Sequence, residues 1–308
     1  MNSALQTASP DDLKSRIIDF VGQASTEVTP HDENLLPDLP QYLPAGASVY
    51  VAHLPKSDVR DVVRLCAQLV KLGFSPCPHI AARQVLSEAG LRAELNQLRE
   101  SGVTQLLLIA GDNKSPAGPF SSTIEILDSG IITDAALRSV GVAGHPEGNR
   151  TIGPSRLKEA LDAKQGFAER SGIDMRLVTQ FGFNPGAVID WARELGEQGI
   201  RLPVHVGLAG PTPLPKLIRF AMRCGIGASL TGLMRNTSAM SNLARMATTP
   251  DEMITGIIRG LAANPGLGIV KPHFFCFGGL IETVAWIRSV REGKFEIPGD
   301  TGPFALSQ

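Results

Sequence analysis

The sequence lacks an excess of either charge: 29 Lys and Arg stand against 30 Asp and Glu over 308 residues, a formal net charge of −1. No polyanion-binding surface is expected, so nucleic acid and anionic membranes are not expected partners. No apolar run approaches the roughly 18 to 20 residues of a bilayer-crossing helix, and the first residues, MNSALQTASPDDLK, lack the basic-then-apolar order of a signal peptide. A soluble, cytoplasmic protein is the expectation. Cysteine is sparse, and Cys66, Cys77, Cys224 and Cys276 are too far apart for a CxxC zinc site or a tight disulfide framework. They read as buried thiols that pack like small hydrophobes. Also missing are a GxGxxG turn, a GxxxxGK(S/T) loop, a GxSxG elbow, an HExxH pair and any low-complexity linker.

What the chain does have is repetition of type. Eight β-rich runs recur, near 24–30, 48–53, 75–82, 105–111, 139–146, 176–183, 203–210 and 273–279. Between them lie stretches such as 57–73, 82–102 and 154–172, whose apolar residues fall at helical spacing and several of which end on glycine. Strand-helix alternation implies parallel strands with right-handed crossovers. Spacings of about 24 to 37 residues between the first seven strands suit an α/β fold of the (β/α)8 TIM-barrel type. About 60 residues separate the last two strands, which predicts extra helices near 213–224, 238–247 and 251–263 over the barrel mouth. The expected organisation is a lead-in over 1–20, one barrel domain over 21–295 and a tail over 296–308. An open doubly wound sheet is the rival, and it would more naturally carry a glycine-rich turn after its first strand.

In such a barrel the chemistry sits at the carboxyl ends of the strands. The polar residues there are Glu27, His53, His79, Asp112, the His145, Glu147 and Asn149 group, Gln180, His205 and His273. Glu27 lies inside STEVTP, and burial would raise its pKa and suit it to donate a proton; the alternative is a solvent-facing strand glutamate. Asp112 follows LLLIAG, where Gly111 permits close backbone approach to a ligand; the alternative is a helix N-cap. Gln180 precedes Phe181 and Phe183, so its amide would face a site with aromatic walls. GHPEGN at 144–149 is a polar turn suited to holding phosphate or ribose groups through backbone N–H.

The ordered set STEVTP, PHIAAR, LIAGD, GHPEGN and VTQFGFN resembles the methylenetetrahydrofolate reductase family, flavoprotein barrels of folate metabolism, over roughly residues 20–290. The resemblance implies a noncovalent FAD reduced by NADH or NADPH, which then reduces 5,10-methylenetetrahydrofolate to 5-methyltetrahydrofolate. It implies Glu27 as the general acid that opens the folate's five-membered ring. Asp112 would act with it, tuning the flavin and holding the pterin, and Gln180, Phe181 and Met234 would also meet the substrate. His79, Ala110, Gly111, Asp112, Gly144, His145, Glu147, Asn149 and Lys164 fall where the family binds FAD. Ala110 stands where the family usually has arginine, His145 where it has tyrosine, Asn149 where it has histidine and Met234 where it has phenylalanine. Lys164 or Arg170 would replace a lysine near the flavin. The chain is similar to the short bacterial form, and a homo-oligomer is left open. Two other readings stand beside this one: a folate- or flavin-binding barrel without reductase activity, and a metal-dependent barrel hydrolase suggested by the scattered histidines. The leading reading assigns no metal.

Overall fold

A computed structural model describes residues 10–54, 58–224, 226, 247–298 and 302–307. Eight parallel strands close into a barrel: β1 (Ser25–Val28), β2 (Ser48–Val51), β3 (Ser75–Ala81), β4 (Gln105–Ile109), β5 (Ser139–Gly144), β6 (Asp174–Thr179), β7 (Val204–Ala209) and β8 (Ile269–Phe275). Each pairs in parallel with its neighbour, and β8 closes the ring against β1 with Ser25 opposite His273. The (β/α)8 class read from the alternation is the observed one.

Helices surround the strands: α1 (Pro10–Gly22), α2 (Val59–Lys71), α3 (Glu88–Glu100), α4 (Thr123–Asp128), α5 (Ile131–Asp134), α6 (Pro154–Ser171), α7 (Pro185–Glu197), α8 (Leu214–Cys224), α9 (Asp251–Ala263) and α10 (Leu280–Arg291). The first crossover is instead a 3-10 segment, Pro30–Gln41, because Pro37 and Pro40 cannot supply the N–H groups an α-helix would need. The outward side chains of the strands, among them Val49, Leu106, Leu108, Val142, Val204 and Leu208, form one apolar layer with the helices.

Two expectations change on folding, the bounds of the eighth strand and the state of the final residues. The eighth strand starts at Ile269 rather than 273, with Lys271 and Pro272 hiding its first half from an apolar pattern. It stops at Phe275 because Phe277 and Gly278 both take positive φ, 46° and 74°. The stretch read as a tail folds back: Ala305–Leu306 pairs with Phe295–Glu296, and Phe304 is buried 4.7 Å from the Phe295 ring and 5.8 Å from Trp286. The lead-in contains α1, which buries Leu13, Ile17 and Phe20, packs on α9 and α10, and donates from Lys14 Nζ to the Phe295 carbonyl at 2.8 Å. Met234 and most of the helix expected near 238–247 lie outside the described residues. Ala247–Thr248 form a short antiparallel pair with Thr212–Pro213.

The barrel interior is polar below the mouth. Arg176 on β6 donates to the Tyr50 hydroxyl at 3.0 Å, to Gln105 Oε1 at 2.9 Å, to Cys77 Sγ at 3.2 Å and to Ser139 Oγ. These neutral partners satisfy the buried guanidinium without a carboxylate. Gly207 on β7 is required by closeness, since a Cβ there would lie 2.3 Å from the Thr179 carbonyl oxygen.

Candidate active site at the barrel mouth

Glu27 ends the inward-facing row of β1. It is not a solvent-facing strand residue: its side chain is 18% exposed. Burial, reinforced by the Asp32 carboxylate, raises its pKa from 4.5 to about 8. At neutral pH the group is a carboxylic acid. His79, inward on β3, faces it with Nε2 3.6 Å from Glu27 Oε2. Burial, then the charge of His53, lowers the His79 pKa to about 4, so the ring is neutral.

Asp112 sits beyond β4 on an exposed loop. It does not cap a helix; Ser122 caps α4 through Glu125 N–H. Gly111 turns the chain with φ 85°. The loop is held by a residue to which the sequence pattern assigned no role: Arg83 donates to the Ser121 and Asn113 carbonyls at 2.9 and 3.2 Å, while Asn113 Nδ2 donates back to the Arg83 carbonyl. A lone basic residue just after a strand was the available signal.

Beside this acid side, a cavity of about 970 Å³ opens between the ends of β4, β5 and β6 and helices α6 and α7. Ala110, Gly144, His145 and Glu147 line it, with Asn149, Lys164, Gln180 and Phe181. The structure thus brings together eight of the residues singled out from sequence. Glu27, His79, Gly111 and Asp112 stand outside this lining. Cys224, at the end of α8, is exposed rather than buried as expected; it lines the cavity, and its thiol is pushed up to about 11 by partial desolvation and by the nearby charges of Asp112 and Glu27, against Arg223.

Lys164 is buried and donates to the Ala143 carbonyl at 2.9 Å. Burial lowers its pKa to about 8, and among the described residues no carboxylate pairs with it. Arg170, the other candidate, is exposed. His145 is brought down to about 4 by burial and by Lys164. Four cations, Arg83, Arg150, Lys158 and Lys164, stand on the cavity wall with two carboxylates, Glu147 and Glu194; Lys158 is paired with Asp162 at 2.9 Å, and the remaining excess of positive charge suits an anionic ligand. Trp191 of α7 forms part of that wall and was not foreseen; a Cβ on Gly144 would lie 2.7 Å from its ring. In sequence it reads only as an apolar position of a helix.

Two expected contacts are already in use. Asn149 Oδ1 accepts from Thr151 N–H at 2.9 Å and Ile152 N–H at 3.2 Å, so that oxygen shapes its own turn. Gln180 Oε1 accepts from Phe181 N–H at 3.2 Å. Phe181 is buried in an aromatic cluster, with ring centroids 4.9 Å from Phe277 and 5.8 Å from Phe183. Packing is its first role.

Of the remaining histidines, His205 and His273 are buried on strands inside the barrel, His53 follows β2 half-buried, and His31 is exposed in the first crossover. His273 Nδ1 is 3.0 Å from Ser25 Oγ, and its ring is 4.3 Å from Tyr50. Burial lowers His273 well below the usual range and His205 to about 2. Among the described residues no three His, Cys, Asp or Glu side chains are arranged to hold a metal ion.

No family model matches the chain. It is similar to a solved oxaloacetate acetylhydrolase at 10% identity, covering 92% of this chain and 85% of that one with a TM-score of 0.46. It is also similar to dihydropteroate synthase from Thermus thermophilus at 12% identity, covering 87% and 90%, with a TM-score of 0.45. These likenesses carry nothing about chemistry; the fold rests on the closed barrel itself. No described helix is long and apolar enough to cross a membrane.

Proposed function

We propose that this barrel is a flavin-dependent reductase of the methylenetetrahydrofolate type, taking electrons from NADH or NADPH. The observation that carries the reading is a glutamate largely buried at the end of β1, its pKa raised to about 8, beside a large cavity with more cations than carboxylates on its wall. The residues fit an FAD: Lys164 is a buried cation without a carboxylate partner, Arg150 and Lys158 stand at the same wall, and the 145–148 turn brings Gly148 at φ 78°. A bound flavin would supply the hydride chemistry.

The chain's own part is binding and protonation. Lys164 would hold an anionic group of the cofactor, and Trp191 with Phe181 would keep water from the inner wall. Glu27 would deliver its proton to the ring nitrogen of the folate as the five-membered ring opens, a role for which a pKa near neutrality is suited. Asp112, exposed at the rim, would meet the pterin edge. A folate- or flavin-binding barrel without turnover is the second reading, favoured by Ala110 at the cavity wall and by Asn149 being occupied in its own turn.

The test is an anaerobic visible spectrum with added FAD. Flavin that binds, bleaches with NADH or NADPH and regains its colour with methylenetetrahydrofolate is the expected result. Binding without bleaching selects the second reading; no flavin binding discards the reductase and leaves the second reading only if the protein binds folate, and absence of both discards both.

A further inference from the structure

Two features of His79 are unexplained by a packing role. Its Nε2 has no hydrogen-bond partner although the residue is only 8% exposed, and leaving a buried polar atom unpaired costs about 1–3 kcal/mol. The nearest charged-type group is Glu27, with Oε2 at 3.6 Å, just beyond hydrogen-bond reach. The edge of the Tyr50 ring, at 6.0 Å and 77°, bounds the imidazole on the β2 side.

We propose that His79 is a positioning residue for Glu27: its neutral imidazole presents Nε2 as the acceptor for the carboxylic-acid proton and so fixes which Glu27 oxygen carries it and how the carboxyl group is oriented at the mouth until substrate draws the proton away. A small rotation of the Glu27 side chain closes the gap of a few tenths of an ångström.

The surroundings select this protonation pattern. Glu27 is faced by Asp32 from the segment after β1, Cys276 beyond β8 and Cys224 of α8, and Asp32 disfavours a carboxylate there. His79 is faced by Tyr50 of β2, His53 after β2 and His273 of β8, and His53 disfavours an imidazolium. Both members are thereby kept neutral, an O–H donor opposite a nitrogen acceptor. The pairing is proposed for the unliganded chain, where the two atoms stand 3.6 Å apart; only its catalytic consequence rests on the proposed function.

Infrared difference spectra of the unliganded protein test the pairing, with the Glu27 acid carbonyl band assigned by its loss in Glu27→Gln. The band is expected at neutral pH, displaced to higher wavenumber in His79→Phe and returned toward the wild-type position in His79→Gln, whose amide oxygen can accept the same proton. An identical band position in wild type and His79→Phe overturns the pairing, as does a missing band. Should His79→Phe fail to fold, the ¹⁵N shift of His79 Nε2 decides: it moves in Glu27→Met if the pair exists and stays if it does not. With flavin chemistry established, His79→Phe should lower kcat about 10-fold with KM unchanged. Failure of that chemistry leaves the infrared result standing, so the two readings fail separately.

Discussion

On the β1–β3 side of the mouth, Glu27 and His79 face each other with side-chain exposures of 18% and 10%, both neutral near pH 7. On the β4–β6 side, a wide cavity carries more cations than carboxylates, one of them the buried Lys164. Burial acts on both sides but with different products. Desolvation makes an acid of a glutamate on the first side; on the second it leaves an ammonium group whose charge is weakly held. On the proposed function this is a division of labour, in which proton supply would be kept apart from anion binding, each pKa being set by its own surroundings.

The largest expected effect falls on the acid side. On the proposed function, Glu27→Gln should lower turnover of methylenetetrahydrofolate by about 10²–10⁴-fold, the usual worth of a general acid; reduction of bound flavin by nicotinamide should continue. Steady-state and half-reaction rates measured side by side check this.

Stability against pH gives the next effect. The folded-state pKa of Glu27 is raised from 4.5 to about 8, so its contribution is fully present below pH 4.5 and is lost as pH rises through 8. Glu27→Gln escapes that loss, and its stability relative to wild type should rise by about 4 kcal/mol between pH 5 and pH 9. Urea unfolding at the two pH values reads it directly.

On the cavity side, Lys164→Met should weaken FAD binding about 10- to 100-fold, corresponding to a lost charge-assisted hydrogen bond. The Glu27 carbonyl band should keep its position. A shift of that band would break the separation of the two sides. Gly144→Ala should cost about 1–3 kcal/mol by pressing a methyl into the Trp191 ring, with Trp191→Phe recovering part of the loss in thermal unfolding.

The barrel was legible because parallel strands are buried on both faces and stand out as short apolar runs between helical patterns. The start of β8 was not, because Lys271 and Pro272 interrupt its apolar run and the pattern resumes only at His273. Phe304 was missed because one aromatic among TGPFALSQ carries no periodicity, and only tertiary packing against Phe295 and Trp286 reveals its role. Glu27 was legible since a carboxylate in an apolar strand is seldom left without a reason. The pairing of Glu27 with His79 was not, because it joins positions whose nearness depends on strand register around a closed barrel. The place of Asn149 and Gln180 at the barrel mouth was legible, but their local hydrogen bonds were not, since polar side chains readily turn back on their own backbone.

Titration of wild type, Glu27→Gln and Lys164→Met with FAD, followed by flavin absorbance, tests the division of the mouth most directly. The expected result is equal affinity for wild type and Glu27→Gln with clearly weaker binding by Lys164→Met. Loss of flavin in Glu27→Gln to the same extent as in Lys164→Met, or unaltered binding by Lys164→Met, would contradict it.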